Sequence, residues 1–167
     1  MGFLKRLVFV LFTLTTPMAV GMAAADPGGT VTGTLGIQLA DGTVSHGDWI
    51  RVLLTSAPAP VPIGRIPSGL PAIARRDRIN DLHLKFFVNV RKQMADAGFA
   101  VASTLTTDDG RFRFTEVAAG DYHVLVTFPA MIAGAKVAWQ VPVHVAENQA
   151  VTLVLDRDNL ALPIHLK

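Results

Sequence analysis

Half of this 167-residue chain is apolar, cysteine is absent, and 15 Lys and Arg stand against 13 Asp and Glu. The missing cysteines exclude disulfides, thiolate metal sites and a cysteine nucleophile. Two of the bases, Lys5 and Arg6, lie in the first 25 residues; beyond them 13 bases face 13 acids, and net charge gives no argument for nucleic acid or an acidic surface.

Residues 1–25 read as a secretory signal peptide. Lys5 and Arg6 form a positive start, Leu7 to Met22 an apolar run, and Ala23-Ala24-Ala25 the small-residue cleavage pattern. Interrupted by three threonines and Pro17, the run falls short of the ~20 apolar residues that span a bilayer comfortably, which disfavours an uncleaved anchor. The expected mature chain is Asp26 to Lys167, 142 residues: one domain, periplasmic or secreted, with no stable membrane insertion after cleavage.

Thr30 to Ile37 alternates as a first strand, Asp41-Gly42 marks a turn, and Trp49 to Leu54 reads as a second strand with Ile50, Val52 and Leu54 inward. Five prolines between Ser56 and Pro71 exclude a central strand and predict a surface loop. From Asp77 to Gly98 the period changes. Ile79, Leu82, Phe86, Phe87, Val90, Met94 and Ala97 recur at three- and four-residue spacing, which predicts one amphipathic helix capped by Asp77 or Asn80 and ended by a left-handed Gly98. The charges around its start, Arg65, Arg75, Arg76 and Arg78 with Asp77 and Asp81, are expected to be solvated.

Strand patterning resumes at Phe99 to Leu105. After the Asp109-Gly110 turn, Phe112 and Phe114 alternate with Arg111 and Arg113. Past Gly120, Tyr122, Val124, Val126 and Phe128 recur at period two, and Lys136 to Val145 and Ala150 to Leu155 follow. The expected fold is mainly β: a seven-stranded antiparallel sandwich with the helix, about 77–98, inserted between the second and third strands. Leu125 and Val154 both fall on outward positions, so an outer sheet face is expected to be apolar and covered by the helix.

Gly29 to Leu35, the Asp41-Gly42 turn, and Thr107, Asp109, Gly110, Phe112, Phe114, Val117, Gly120, Tyr122 and Val124 together form a pattern that resembles the carboxypeptidase regulatory-like domain. That resemblance implies a transthyretin-like, Ig-like β-sandwich and a non-catalytic module attached to a larger system. The helix and its proline-rich approach depart from the family pattern. A 5-hydroxyisourate hydrolase of similar fold is disfavoured, because the chain ends Pro163-Ile164-His165-Leu166-Lys167 where that family carries Y-R-G-S. An isopeptide-stapled pilin module is disfavoured too, since no lysine lies between residue 25 and Lys85 to act as its first-strand nucleophile.

Five scattered histidines are the remaining candidates for chemistry: His46, His83, His123, His144 and His165. His123 and His144 occupy outward positions of their strands and are weak metal candidates that need a further ligand, from His46 or a loop carboxylate. No H-x-H, H-x-x-H or H-E-x-x-H spacing supports them, so the expectation is no metal, no cofactor and no catalytic residue. The functional expectation is an exported, non-catalytic module for protein or surface interaction, with an unidentified protein or cell-envelope partner and no nucleic acid. A periplasmic small-ligand or metal-ion carrier is the alternative, and a hydrolase ranks third.

Overall fold

A computed structural model describes residues 28–166. The signal-peptide reading of residues 1–25 lies outside the described residues. In chain order the elements are β1 (Gly29–Gln38), β2 (Val44–His46), β3 (Arg51–Thr55), α1 (Ala72–Gln93), β4 (Ala100–Leu105), β5 (Arg111–Val117), β6 (Gly120–Val126), β7 (Met131–Ile132), β8 (Ala135–Lys136), β9 (Trp139–Val145) and β10 (Ala150–Leu155). The described residues thus form ten strands instead of seven. The extra ones are short: β2 pairs with the end of β1, and β7 with β8 makes a hairpin of its own.

Two four-stranded sheets face each other. In the first, β1 is central, flanked by β10 and by β5 and β2; the second runs β4-β3-β6-β9. Alternation along the strands sends Val31, Leu35, Ile37, Phe112, Phe114 and Leu155 of the first sheet against Val52, Leu54, Val124, Val126, Trp139 and Val143 of the second. Trp139 is fully buried and donates its indole N–H to the Asp156 carbonyl at 2.7 Å. Gly33 is fixed by the same packing, because the Phe112 ring and the Leu153 carbonyl occupy the space a Cβ would need. Tyr122 lays its ring on this core and donates its hydroxyl to Ala118 O at 3.0 Å.

The sandwich is not wholly antiparallel. β10 lies parallel to β1, from Thr30↔Ala150 to Leu35↔Leu155. β9 is an edge strand of the second sheet, and the chain crosses from it through residues 146–149 to the open edge of the first, where no hairpin reverses it against β1.

The helix runs from Ala72 to Gln93, five residues earlier than the 77–98 expectation. It starts after Pro71, which is extended (φ −53°, ψ 150°) and offers no side-chain cap, so neither Asp77 nor Asn80 caps it. At the other end Met94 is right-handed, and Gly98 is not among the glycines with positive φ. Arg91 and Lys92 in the last turn complement the negative end of the helix dipole. Leu82, Phe86 and Val90 bury against Leu53 and Leu125 on the outer face of β3 and β6 and against Ala138 just before β9, each worth roughly 1.5–3 kcal/mol of burial. Leu125 is therefore covered by this domain's own helix. Val154 is not: it belongs to β10 on the first sheet and stays exposed, so the two residues do not share a face.

Candidate functional site

One end of the helix does not close onto the sheet, and a cleft of about 580 Å³ remains there. Its floor is Leu53 and Leu125, one wall is Phe87, Val90, Arg91 and Met94 of α1, and the opposite wall is Trp49, Arg51 and Leu105. Thr127, Phe128, Pro129 and Met131 close the third side. Most of the lining is apolar, and Trp49, Met94, Leu105 and Met131 are among the large hydrophobic side chains left exposed.

Trp49 is the least expected of these. The pattern from Trp49 to Leu54 predicts a strand residue, yet β3 begins only at Arg51 and Trp49 is left-handed, with φ 55° and a relative exposure of 72%. An aromatic residue at positive φ is strained, and surrounding structure must hold it there. The buried Thr106 does so. Its hydroxyl donates to Gly47 O at 2.6 Å and accepts from Ile50 N at 2.9 Å. Its carbonyl accepts from Trp49 N at 3.3 Å, and its own N–H donates to Ile50 O at 2.9 Å. An indole that burial would have stabilised is instead fixed at the mouth of the cleft.

The opposite side is equally ordered. Phe128 meets Phe87 edge to face, with ring centroids 5.6 Å apart, and Lys136 Nζ lies 5.4 Å from the Phe128 centroid. Thr127 buries a hydroxyl that has no hydrogen-bond partner. Two arginines from different elements, Arg51 at the start of β3 and Arg91 near the end of α1, line the cleft with a single acid, Asp48. Among the described residues neither arginine forms an ion pair, whereas Arg76, Arg78 and Arg111 each do.

The histidines do not gather. β6 and β9 are neighbours, so His123 and His144 do sit on adjacent strands, but His123 faces Pro142 across the ladder and His144 faces Asp121. His144 Nδ1 lies 2.8 Å from Asp121 Oδ1 on an exposed surface, while His123 buries an unpartnered Nδ1. His46 is on β2 in the other sheet and is not brought to them. Among the described residues no group of three or more His, Asp or Glu is placed to hold a metal ion. His83 is buried on the helix face, its Nε2 donating to Pro163 O at 3.0 Å; burial depresses its pKa below 6.5, against the opposing effect of that hydrogen bond and with help from Lys136. That contact fastens the C-terminal segment, whose Leu160 bridges Trp139 and whose Leu162 joins the apolar layer under the helix.

The arginines around the helix start are exposed: Arg75 donates to Ser68 O, Arg76 meets Asp77, and Arg78 shares Asp81 with Lys85. Among the described residues no helix is long and apolar enough to cross a membrane.

No protein-family model and no curated protein matches the chain. Among solved structures it is similar to a suspected carbohydrate-binding protein of Pseudomonas aeruginosa, with 18% identity and a TM-score of 0.45 over 80% of this chain and 91% of that one. It is also similar to a minor pilin of Streptococcus agalactiae, at 15% identity and a TM-score of 0.44, and to the major pilin subunit of Bacillus cereus, at 11% and 0.40. Each match covers 77% of this chain, which spans 43% and 29% of the two pilins. At such identities and scores, neither a ligand nor a partner carries over.

Proposed function

We propose that this chain is an exported, non-catalytic β-sandwich binding module of the carboxypeptidase regulatory-like kind, periplasmic or secreted, and that it recognises its partner through the Trp49 cleft. The observation that carries the reading is Trp49 itself: an exposed indole at the rim of an apolar recess, on a strained backbone that is tied, together with Gly47 and Ile50, by four hydrogen bonds to one buried threonine. Strain of this kind clusters at functional sites. The family reading is supported by the left-handed Gly110 in its turn, by Phe112 and Phe114 on the inner face, and by the Tyr122 hydroxyl bonded back to Ala118. Export is supported by the residue pattern of the first 25 positions.

The alternative of a periplasmic carrier gains a specific observation for a small ligand and none for a metal ion, since the recess is of ligand size while His123 and His144 face other residues. The test is photo-crosslinking in the expressing cell from a probe at Met94, on the cleft rim, against a probe at Thr152 on the far sheet. An envelope component captured only from position 94, and lost in Trp49→Ala, supports the reading. Capture from position 152 instead would move recognition to the first sheet.

A further inference from the structure

Resting on the cleft assigned above, we propose that its ligand is a small amphipathic carboxylate, with an apolar body between Trp49 and the Phe87–Phe128 pair and its head group at Arg51 and Arg91. Three observations converge on this chemistry. The volume, about 580 Å³, is that of a pocket for one small molecule.

The lining selects an apolar body. A sugar needs several amide or carboxylate groups to satisfy its hydroxyls, and Asp48 is the one carboxylate among the described lining residues, with no Asn or Gln. Three aromatic rings and two methionines offer instead a surface that an acyl chain or a fused ring buries.

The sign of the head group follows from the charges. The lining holds two guanidinium side chains and one carboxylate, and neither guanidinium is engaged in an ion pair among the described residues. A guanidinium presents parallel N–H donors matched to the two oxygens of a carboxylate, and beside an apolar wall that pairing is less weakened by water than on an open surface.

The experiment titrates the purified full chain with dodecanoate, dodecanol and 2-naphthoate, following Trp emission and the heat of binding. Dodecanoate or 2-naphthoate is expected to bind one per chain and shift Trp49 emission, and whichever binds tighter identifies an acyl or an aromatic body. Dodecanol is expected to bind at least about tenfold more weakly than dodecanoate. The double variant Arg51→Gln/Arg91→Gln, with an unchanged melting temperature, is expected to erase that difference while leaving dodecanol affinity intact. Equal affinity for dodecanoate and dodecanol in the unaltered chain overturns the anion assignment and leaves the cleft as an apolar site. Binding of none of the three overturns the small-ligand proposal altogether; Trp49-dependent crosslinking to an envelope protein, if retained, then leaves the cleft as a protein-docking surface.

Discussion

Trp49 donates its backbone N–H to the Thr106 carbonyl at 3.3 Å, so the exposed indole at the cleft mouth is tied to one of the few buried polar side chains of the domain. The Thr106 hydroxyl completes the link through Gly47 O and Ile50 N. Without that hydroxyl, both backbone groups face an apolar surrounding unpaired. Thr106→Val is therefore expected to cost about 1–3 kcal/mol, the desolvation penalty of unpaired buried groups, and Thr106→Ser well under half of that. Denaturant melts measure the loss, and a change in Trp emission before unfolding reports the freed indole. A Val variant as stable as the parent, with unchanged emission, would show that Trp49 is held by something else.

Phe112 and Arg113 are adjacent on β5 and point to opposite sides of the first sheet. Phe112 is 4% exposed and packs 6.1 Å, centroid to centroid, from Phe114. Phe112→Ala is expected to cost roughly 3–5 kcal/mol and Arg113→Ala under about 1. The comparison is made by urea unfolding of the two single variants side by side; equal losses would contradict the register.

The helix stripe supplies a second contrast. Phe86 is fully buried against the outer sheet face, whereas Leu84, two positions before it, is exposed. Phe86→Asp places an unpaired carboxylate against Leu53 and Leu125 and is expected to lower the melting temperature of the monomer sharply, while Leu84→Asp leaves it within a few degrees. Should Phe86→Asp melt like the parent, the helix would not be docked on its own sheet in solution.

These pairs also mark what could be read from the chain itself. Alternation on β1, β5 and β6 was legible, because a strand's side-chain period fixes which residues face the core. Strand direction was not: period two is the same for parallel and antiparallel neighbours, and nothing in Ala150 to Leu155 announces that β10 will run alongside β1. The helix stripe was legible from Ile79 to Val90, but its start was not, since Pro71 opens it without a capping side chain. The cleft was hidden for a different reason. In Trp49-Ile50-Arg51-Val52 the alternation continues unbroken, and the partner that turns Trp49 outward lies 56 residues beyond Ile50.

His83 gives the clearest pH dependence. It is buried beneath the C-terminal segment, and burial holds its pKa below the ordinary 6.5, which the Pro163 hydrogen bond opposes and Lys136 reinforces. The folded chain therefore keeps this imidazole neutral where the unfolded chain begins to protonate it. Below pH 6.5 the unfolded state binds more protons, so stability falls as pH falls, with a slope of at most about 1.4 kcal/mol per pH unit from this one group, until the folded pKa is reached. Above pH 6.5 its contribution is complete and flat. Asp41 and Asp109, lowered chiefly by the hydroxyls of Thr43 and Thr107, act only below their ordinary 3.8 and leave this window clear. His83→Gln retains a side-chain donor for Pro163 O without the titration. Urea melts of both proteins from pH 7.5 to 5.0 are expected to show the parent losing stability and the Gln variant losing measurably less over the same interval. Parallel pH profiles would mean that His83 takes up its proton in the folded state as readily as in the unfolded one, and that the C-terminal segment opens enough to admit water.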